Sequence, residues 1–339
     1  MSKKNSLGRT IDTITNLDIS GRGSIGDLYE LALAENKNKP ISFSAAEKIL
    51  ATIKPKDKVF LTTGWIDQPQ VAPGYGETDG PLGTLVLARA IRKACKACII
   101  IFTDEQLVAG LKILAQAAGF HCVEPDILEA SIVTDKLMTL SILPFPIEEK
   151  LARTQAQELL DKYKPTCLIA IERGGMNEAG KIHNMLGCDT SVTQAKLDYL
   201  FIEAGAKEIL TIAVGDGGNE IGMGNIKAGI KQKIKNGDCC QCSCGLGISP
   251  STRVDLLVTA TISNWGCYGI VANLAAQTGR VELLHQVQLE KQLLQTAMLA
   301  GFHDAMFGSL ALSVDNCDER VHYSLITLLN EAVKKYLNI

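Results

Sequence analysis

Apolar and polar positions along the chain fall into short blocks of two kinds. Runs rich in Val, Ile, Leu, Phe or Thr occupy residues 58–63, 98–102, 167–171, 208–214 and 254–261, and each stops at a polar or glycine-containing segment. That is the pattern of strands. Helical periodicity fills the intervals at 82–94, 104–118, 193–204 and 223–235, and two further helices are predicted near 282–300 and 318–337. Alternation of this kind predicts an α/β fold with a mainly parallel sheet flanked by helices on both faces. In such sheets the ligand site lies at the C-terminal ends of the strands. The stretch 143–165 places Pro144, Pro146 and Pro165 around a polar helix, which reads either as a division between two halves or as a crossover. We expect a single α/β domain over residues 21–339, with residues 1–20 a loosely attached N-terminal extension.

Composition narrows the classes of function. With 46% hydrophobic residues, 339 residues can build a large core and are not disordered wholesale. The balance of 34 Lys+Arg against 37 Asp+Glu, a net charge of −3, argues against nucleic acid as a partner, because no basic excess is available to neutralise phosphates. The apolar runs are too short to span a membrane. The first 20 residues lack an apolar signal region and include Asp12 and Asp18, so neither a secretory nor a transit signal is expected. A cytoplasmic location with mostly reduced thiols follows. A homo-oligomer built through the closing helices is compatible with the sequence, although no heptad pattern demands one.

The chemistry-bearing residues gather at the strand ends. The first strand leads into Thr62-Thr63-Gly64 and then Glu77-Thr78-Asp79-Gly80-Pro81, the second into Thr103-Asp104-Glu105, and the third into Glu172-Arg173. The fourth runs into Gly215-Asp216-Gly217-Gly218-Asn219-Glu220-Ile221-Gly222-Met223-Gly224, and the fifth into Ser263-Asn264-Trp265-Gly266. The glycine loop superficially resembles a dinucleotide fingerprint. Glu220 stands where a third glycine is required, and Asp216 and Glu220 would repel a pyrophosphate. Two carboxylates and Asn219 suit a hard divalent cation, Mg²⁺ or Mn²⁺, that prefers oxygen ligands. The alternative is a glycine-rich turn in which Asp216 and Asn219 satisfy local backbone groups.

Blander readings stand beside the others too. Asp79, Thr78 or Asp104 could serve only as a helix cap. Glu172 and Arg173 follow an apolar strand and could form an internal ion pair instead of meeting substrate or metal. His183 and Asn184 are site groups or ordinary loop residues. Trp265 fits core packing better than stacking on a substrate, and Asn264 is the better site candidate because its amide both donates and accepts.

The 11 cysteines are an odd number, so a closed disulfide framework would leave one over. Cys239, Cys240, Cys242 and Cys244 crowd into six residues. Cys239-x-x-Cys242 has half of a zinc spacing, but tetrahedral sites usually draw their halves from separate segments. Cys95-x-x-Cys98 is the other CxxC in the chain. Plain reduced thiols, redox chemistry and soft-metal binding all remain readings of this cluster.

Five motifs carry a resemblance: TTG at 62–64, ETDGP at 77–81, IER at 171–173, GDGGNEIGMG at 215–224 and SNWG at 263–266. From about Asp18 to the end, the chain resembles the D-glutamate cyclase-like family, which comprises the C-terminal domain of the mitochondrial enzymes and stand-alone microbial relatives. Asp304 and the Asp315…His322 segment look like weaker shared positions. The resemblance implies a hydro-lyase that dehydrates D-glutamate to 5-oxo-D-proline. It needs a base for the amine and an electrophile, either a divalent cation or fixed donors, but no nucleotide, flavin or PLP. On that basis Glu172, Asp216 and Glu220 are the expected catalytic residues. Asp79, Asp216 and Glu220 are expected to hold the metal, helped by Asn219. Thr63, Asp79, Arg173, Asn184, Asn219, Asn264 and Asp304 are expected to bind a small acidic amino acid. Met176, Ile182 and Leu186 stand where the relatives usually show Arg, Tyr and Arg, which implies a different or less anionic substrate. A metal-dependent phosphohydrolase and a non-enzymatic small-molecule-binding oligomer are the competing classes.

Overall fold

The computed structural model describes residues 3–339. Its elements, in chain order, begin with α1 (Lys3–Thr15), α2 (Ile25–Glu35), α3 (Ile41–Thr52), β1 (Lys58–Thr62), β2 (Gly76–Glu77), α4 (Pro81–Cys95) and β3 (Cys98–Thr103). There follow α5 (Val108–Ala117), β4 (His121–Cys122), α6 (Leu128–Thr134), β5 (Thr139–Pro144), α7 (Glu149–Tyr163), β6 (Cys167–Ile171) and α8 (Asp198–Ala206). The chain continues through β7 (Leu210–Gly215), α9 (Lys227–Lys233), β8 (Leu256–Thr259), α10 (Ser263–Thr278) and α11 (Val287–Leu299). It closes with β9 (Phe302–His303), β10 (Ser313–Val314), β11 (Cys317–Asp318) and α12 (Glu319–Leu337).

Seven strands form one sheet in the order β4-β5-β3-β1-β6-β7-β8, and every neighbouring pair is parallel. The middle strands read as unbroken apolar runs because both faces are covered: all residues of β3 and β6 are buried. Leu61 of β1 sits between Ile101 and Ile169 at the centre. The chain leaves β1 towards β3 on one side and leaves β6 towards β7 on the other. Right-handed crossovers therefore put α4 and α5 on one face and α7 and α8 on the opposite one. The gap between the ends of β1 and β6 is the switch point of the sheet, where open parallel sheets leave a crevice. The 143–165 stretch is a crossover: α7 links β5 to β6 within the same sheet.

Several elements differ from expectation. β5 was not anticipated, because Ser141 interrupts its apolar run; its hydroxyl donates to the Val123 carbonyl at 2.6 Å. The SNWG motif is the first turn of α10, not a strand end. That helix is buried from Ser263 to Ala276 and packs on α3, α4 and α12, so it carries no amphipathic stripe to betray it. The helices expected at 104–118 and 223–235 each open with a 3₁₀ turn, and the one expected from 193 starts only at Asp198. Among the described residues, no helix is long and apolar enough to cross a membrane.

The expectation of a loosely attached start is corrected by α1. Leu7, Ile11 and Asp12 are buried, and the helix packs on α12, α10 and α3; residues 1 and 2 lie outside the described residues. The Asp12 carboxylate caps α3 from a distance, accepting the N–H groups of Ile41 at 2.8 Å and Ser42 at 3.1 Å, the Ser42 hydroxyl and the Tyr29 hydroxyl at 3.3 Å. Asp12→Ala would leave these buried donors without an acceptor. We expect a loss of about 2–3 kcal/mol in urea unfolding, against under about 1 kcal/mol for Tyr29→Phe. Equal midpoints for Asp12→Ala and the parent would show that the first helix is not part of the cooperative unit.

Candidate functional site

The switch point is held together by one ion pair. Arg173, just past β6, is fully buried, and so is Asp104, just past β3. The guanidinium donates to both carboxylate oxygens of Asp104, to the Gly64 carbonyl beyond β1 and to the Ala195 carbonyl at 2.8 Å. Asp104 in turn accepts the Ala195 N–H at 2.6 Å. The expectation that Arg173 binds a substrate carboxylate is therefore corrected. Its side chain faces inward and its terminal nitrogens already serve the fold.

A second clasp joins the 77–83 turn to α10. Asp79 accepts the N–H groups of Ser263 and Asn264, both at 2.8 Å, and that of Gly80 at 2.9 Å. It thus caps the start of α10. Asn264 answers in the opposite direction. Its side-chain oxygen accepts from Gly80 at 3.0 Å and Gly83 at 2.6 Å, capping α4, and its amide donates to the Thr78 carbonyl at 3.0 Å. These bonds engage both ends of the Asn264 amide in joining α4 to α10. Gly80 has φ +91°, and a Cβ there would lie 2.7 Å from Thr63 Oγ1 and 2.8 Å from Glu172 Cβ. Only glycine lets the turn come this close. Thr63 and Glu172 therefore meet over Gly80, and the buried Thr63 hydroxyl has no hydrogen-bond partner among the described residues.

The glycine loop after β7 closes on itself. The Glu220 carboxylate accepts the backbone N–H groups of Asp216 at 2.9 Å, Gly217 at 2.5 Å and Gly218 at 2.7 Å. Asn219 donates to the His183 carbonyl at 2.8 Å. Asp216 is left facing the crevice, where it accepts from Arg22 at 3.0 Å; the other arm of that guanidinium binds Asp315. Arg22 is presented by a turn that Asp18 braces through the N–H groups of Arg22 and Gly23. Asp315 sits with Asn316 in the two-residue turn between β10 and β11, both with positive φ, as such hairpins require. Asp304 supports that turn by accepting the Asn316 N–H at 3.0 Å and the Met306 N–H at 2.9 Å, so it positions Asp315 and does not itself reach the crevice.

The expected residues thus separate. Thr63, Asp79, Glu172 and Asp216 converge. Asn184 does not: its side chain accepts the Cys188 N–H at 3.0 Å in a local turn. His183 points away from the carboxylates, towards Cys242. Trp265 is core, its indole N–H donating to His322 at 3.0 Å. Sequence reasoning did not pick out Arg22, and it placed Asp315 only in a weak shared segment. The expected metal trio of Asp79, Asp216 and Glu220 is not one group. The structure gives two that share Asp216: Asp79 with Asp216 and Asp315, and Glu172 with Asp216 and Glu220, each with oxygens within 4.8 Å of one another. Both are all-oxygen sets of the kind that hard divalent cations take.

Electrostatics sets these carboxyls apart. Burial, and then the neighbouring carboxylates, push Glu77 and Glu172 well above the ordinary range. Burial raises Asp216 strongly as well, although Arg22 opposes the shift. Burial and then Asp315 lift Asp79 from 3.8 to about 8, against the three backbone N–H groups that favour its charge. Glu172 also has φ +44°, a backbone region that side chains other than glycine rarely adopt and that concentrates at functional sites.

Two comparisons relate the chain to known proteins. A family model described as D-glutamate cyclase-like, C-terminal, matches residues 11–330. The human protein named D-glutamate cyclase, mitochondrial, is 29% identical over 276 residues, covering 78% of this chain. The chain spans 38% of that relative's length.

The raised carboxyls make stability depend on pH. A folded-state pKa of about 8 for Asp79, against 3.8 unfolded, means the folded state binds the extra proton between those values. Stability contributed by that group is present at low pH and lost as pH rises towards 8. Each proton so held is worth about 1.4 kcal/mol per pH unit, or roughly 2 °C in melting temperature for a chain of this size. We expect the melting temperature to fall by at least about 2 °C per unit from pH 6 to pH 8. A Mg²⁺ or Mn²⁺ ion bound by these carboxylates would raise it more at pH 8 than at pH 6, because it would replace the protons. A melting temperature flat over this range would mean that the cluster ionises freely.

Proposed function

We propose a reaction from one premise: the chain belongs to the D-glutamate cyclase-like family. The reaction is dehydration of D-glutamate to 5-oxo-D-proline, which makes the protein a lyase acting on a small acidic amino acid. The observation that carries this reading is the set of buried, proton-holding carboxyls of Glu172, Asp79 and Asp216 at the switch point, beside the unpartnered Thr63 hydroxyl.

The chemistry asks for such a set. The α-nitrogen attacks the γ-carboxyl carbon, a C–N bond forms, a C–O bond breaks and water leaves. Starting from the ammonium and the γ-carboxylate, two protons pass from nitrogen to the departing oxygen and none is gained or lost overall. A group that shuttles them must both accept and donate near neutral pH, which an ordinary carboxyl does poorly and one raised by burial does well. Glu172 takes this role. Its carboxylate accepts the Ser263 hydroxyl at 2.7 Å, its one hydrogen bond among the described residues, and it lies against Thr63 and Gly80. Asp216, which Arg22 draws towards its charged form against the effect of burial, attracts the substrate ammonium. Arg22, its side chain 26% exposed and shared between Asp216 and Asp315, is the cation that receives a substrate carboxylate. Glu220 acts at one remove, by shaping the loop that presents Asp216.

A divalent cation fits the oxygen set of Asp79, Asp216 and Asp315, whose negative charge Arg22 alone does not balance. Mg²⁺ or Mn²⁺ bound there would polarise the γ-carboxyl as a Lewis acid.

Purified protein incubated with D-glutamate and Mg²⁺ or Mn²⁺ should form 5-oxoproline, followed by chromatography. Glu172→Gln should lower kcat by about 10²–10⁴-fold with unfolding unchanged, and Arg22→Met should act mainly on KM. Absence of product with every cation, together with turnover of phosphate esters, would replace the proposal by the phosphohydrolase reading. Absence of both activities would leave the binding protein.

A further inference from the structure

We propose that His183, Cys240, Cys242 and Cys244 form a mononuclear, tetrahedral zinc site, separate from the carboxylate crevice and independent of the reaction assigned to it. The second half that the cysteine run needs comes from a distant segment, the loop after β6. His183 Nε2 lies 3.3 Å from Cys242 Sγ and 3.7 Å from Cys244 Sγ. The sulfurs are 3.5 Å apart for Cys240–Cys242, 3.3 Å for Cys240–Cys244 and 3.3 Å for Cys242–Cys244. All four ligand atoms lie within 4.8 Å of one another.

These are the edges of a tetrahedron. Zn–S arms of about 2.3 Å and Zn–N arms of about 2.0 Å give ligand separations of about 3.4–3.8 Å. Disulfides would need sulfurs at about 2.05 Å, and all three cysteines are free. Four atoms this close surround a single ion. An iron–sulfur cluster spreads its protein ligands over several irons and is excluded by the same compactness. Three thiolates and one imidazole are the donors that zinc takes in closed structural sites.

The surroundings prepare the site. Gln241 N–H donates to the Gly187 carbonyl at 2.9 Å, and the Asn177 amide donates to the Gly247 carbonyl at 2.8 Å, so the two ligand-bearing segments are held together by the backbone as well. The Cys244 N–H and the Asn177 amide point at Cys242 Sγ and Cys244 Sγ, each at 3.5 Å, which favours thiolates. His183 is fully buried. The chain between α9 and β8 runs without regular structure from Ile234 to Asp255, a length that compact domains seldom leave without an anchor. The ion would supply that anchor. Through the bond from Asn219 to the His183 carbonyl, it would also steady the loop that presents Asp216.

Metal analysis of the whole chain, purified reduced and supplied with zinc, should find one zinc per chain. Cys240→Ser and Cys244→Ser should take the zinc content close to zero, and Cys239→Ser should leave it unchanged. In case those variants fail to fold, two measurements on the parent protein carry the same weight. Co²⁺ in place of zinc should give the strong visible bands of a tetrahedral thiolate site. Zinc should also protect Cys240, Cys242 and Cys244 from alkylation while the exposed Cys188 and Cys239 react, and a chelator should remove the protection. Substoichiometric zinc, an octahedral Co²⁺ spectrum, equal alkylation with and without zinc, or a disulfide among the three cysteines would each overturn the assignment.

Discussion

The fully buried pair of Arg173 and Asp104 is the interaction on which the switch point depends. It reaches the end of β3 through Asp104, the chain beyond β1 through the Gly64 carbonyl, and the approach to α8 through Ala195. Two charges removed from water are favourable only when nearly every donor and acceptor is matched. Here the two terminal nitrogens make four bonds, and the carboxylate gains a backbone N–H as well. A pair this specific fixes the separation and register of the strand ends around it. It also dictates the residue beside it. With Arg173 committed to the interior, the backbone at Glu172 takes a positive φ, and its carboxyl lies on the crevice side against Thr63 and Gly80.

The crevice is defined by which carboxyls the backbone satisfies and which it does not. Glu220 has three N–H groups of its own loop, and Asp79 has three from Gly80 and the start of α10. Glu172 has one hydroxyl and Asp216 has one arginine. The groups bound to several backbone donors tie the loops to one another, and Glu172 and Asp216 keep the fewest partners. Arg22 is the balancing charge, brought from near the N-terminus to Asp315 almost 300 residues later in the chain. It bridges two acids that belong to loops far apart in the chain.

The fold was legible where apolar runs are uninterrupted: β1, β3, β6 and β7 emerge within two residues of their expected bounds. It was not legible where a helix is buried all round, as α10 is, or where a polar residue sits inside a strand, as Ser141 does in β5. The same limit applies to the site. Motif position placed Asp79, Glu172 and Asp216 at one edge of the sheet, and they do lie together there, because strand ends in a parallel sheet converge. It could not say which polar groups are engaged by nearby backbone N–H groups, so Asn264, which caps α4, and Asp304, which braces the turn between β10 and β11, looked like ligands. Nor could it foresee contacts made across long sequence separations. Arg22 reaches Asp216 and His183 reaches Cys242 only because of how the loops pack, and neither pair leaves a local pattern.

The glycine loop shows why the likeness to a nucleotide fingerprint misleads. In phosphate-binding loops, glycines free successive backbone N–H groups to surround an external anion. Here Gly217 and Gly218 free theirs in the same way, but Glu220 of the same loop supplies the anion. A Cβ on Gly215 would lie 3.0 Å from the Glu220 carboxyl carbon, so that glycine serves the internal carboxylate too. With those donors occupied, the loop has no cradle left for a phosphate. What it offers the crevice instead is the Asp216 carboxylate, held on a backbone that its own glutamate has made rigid.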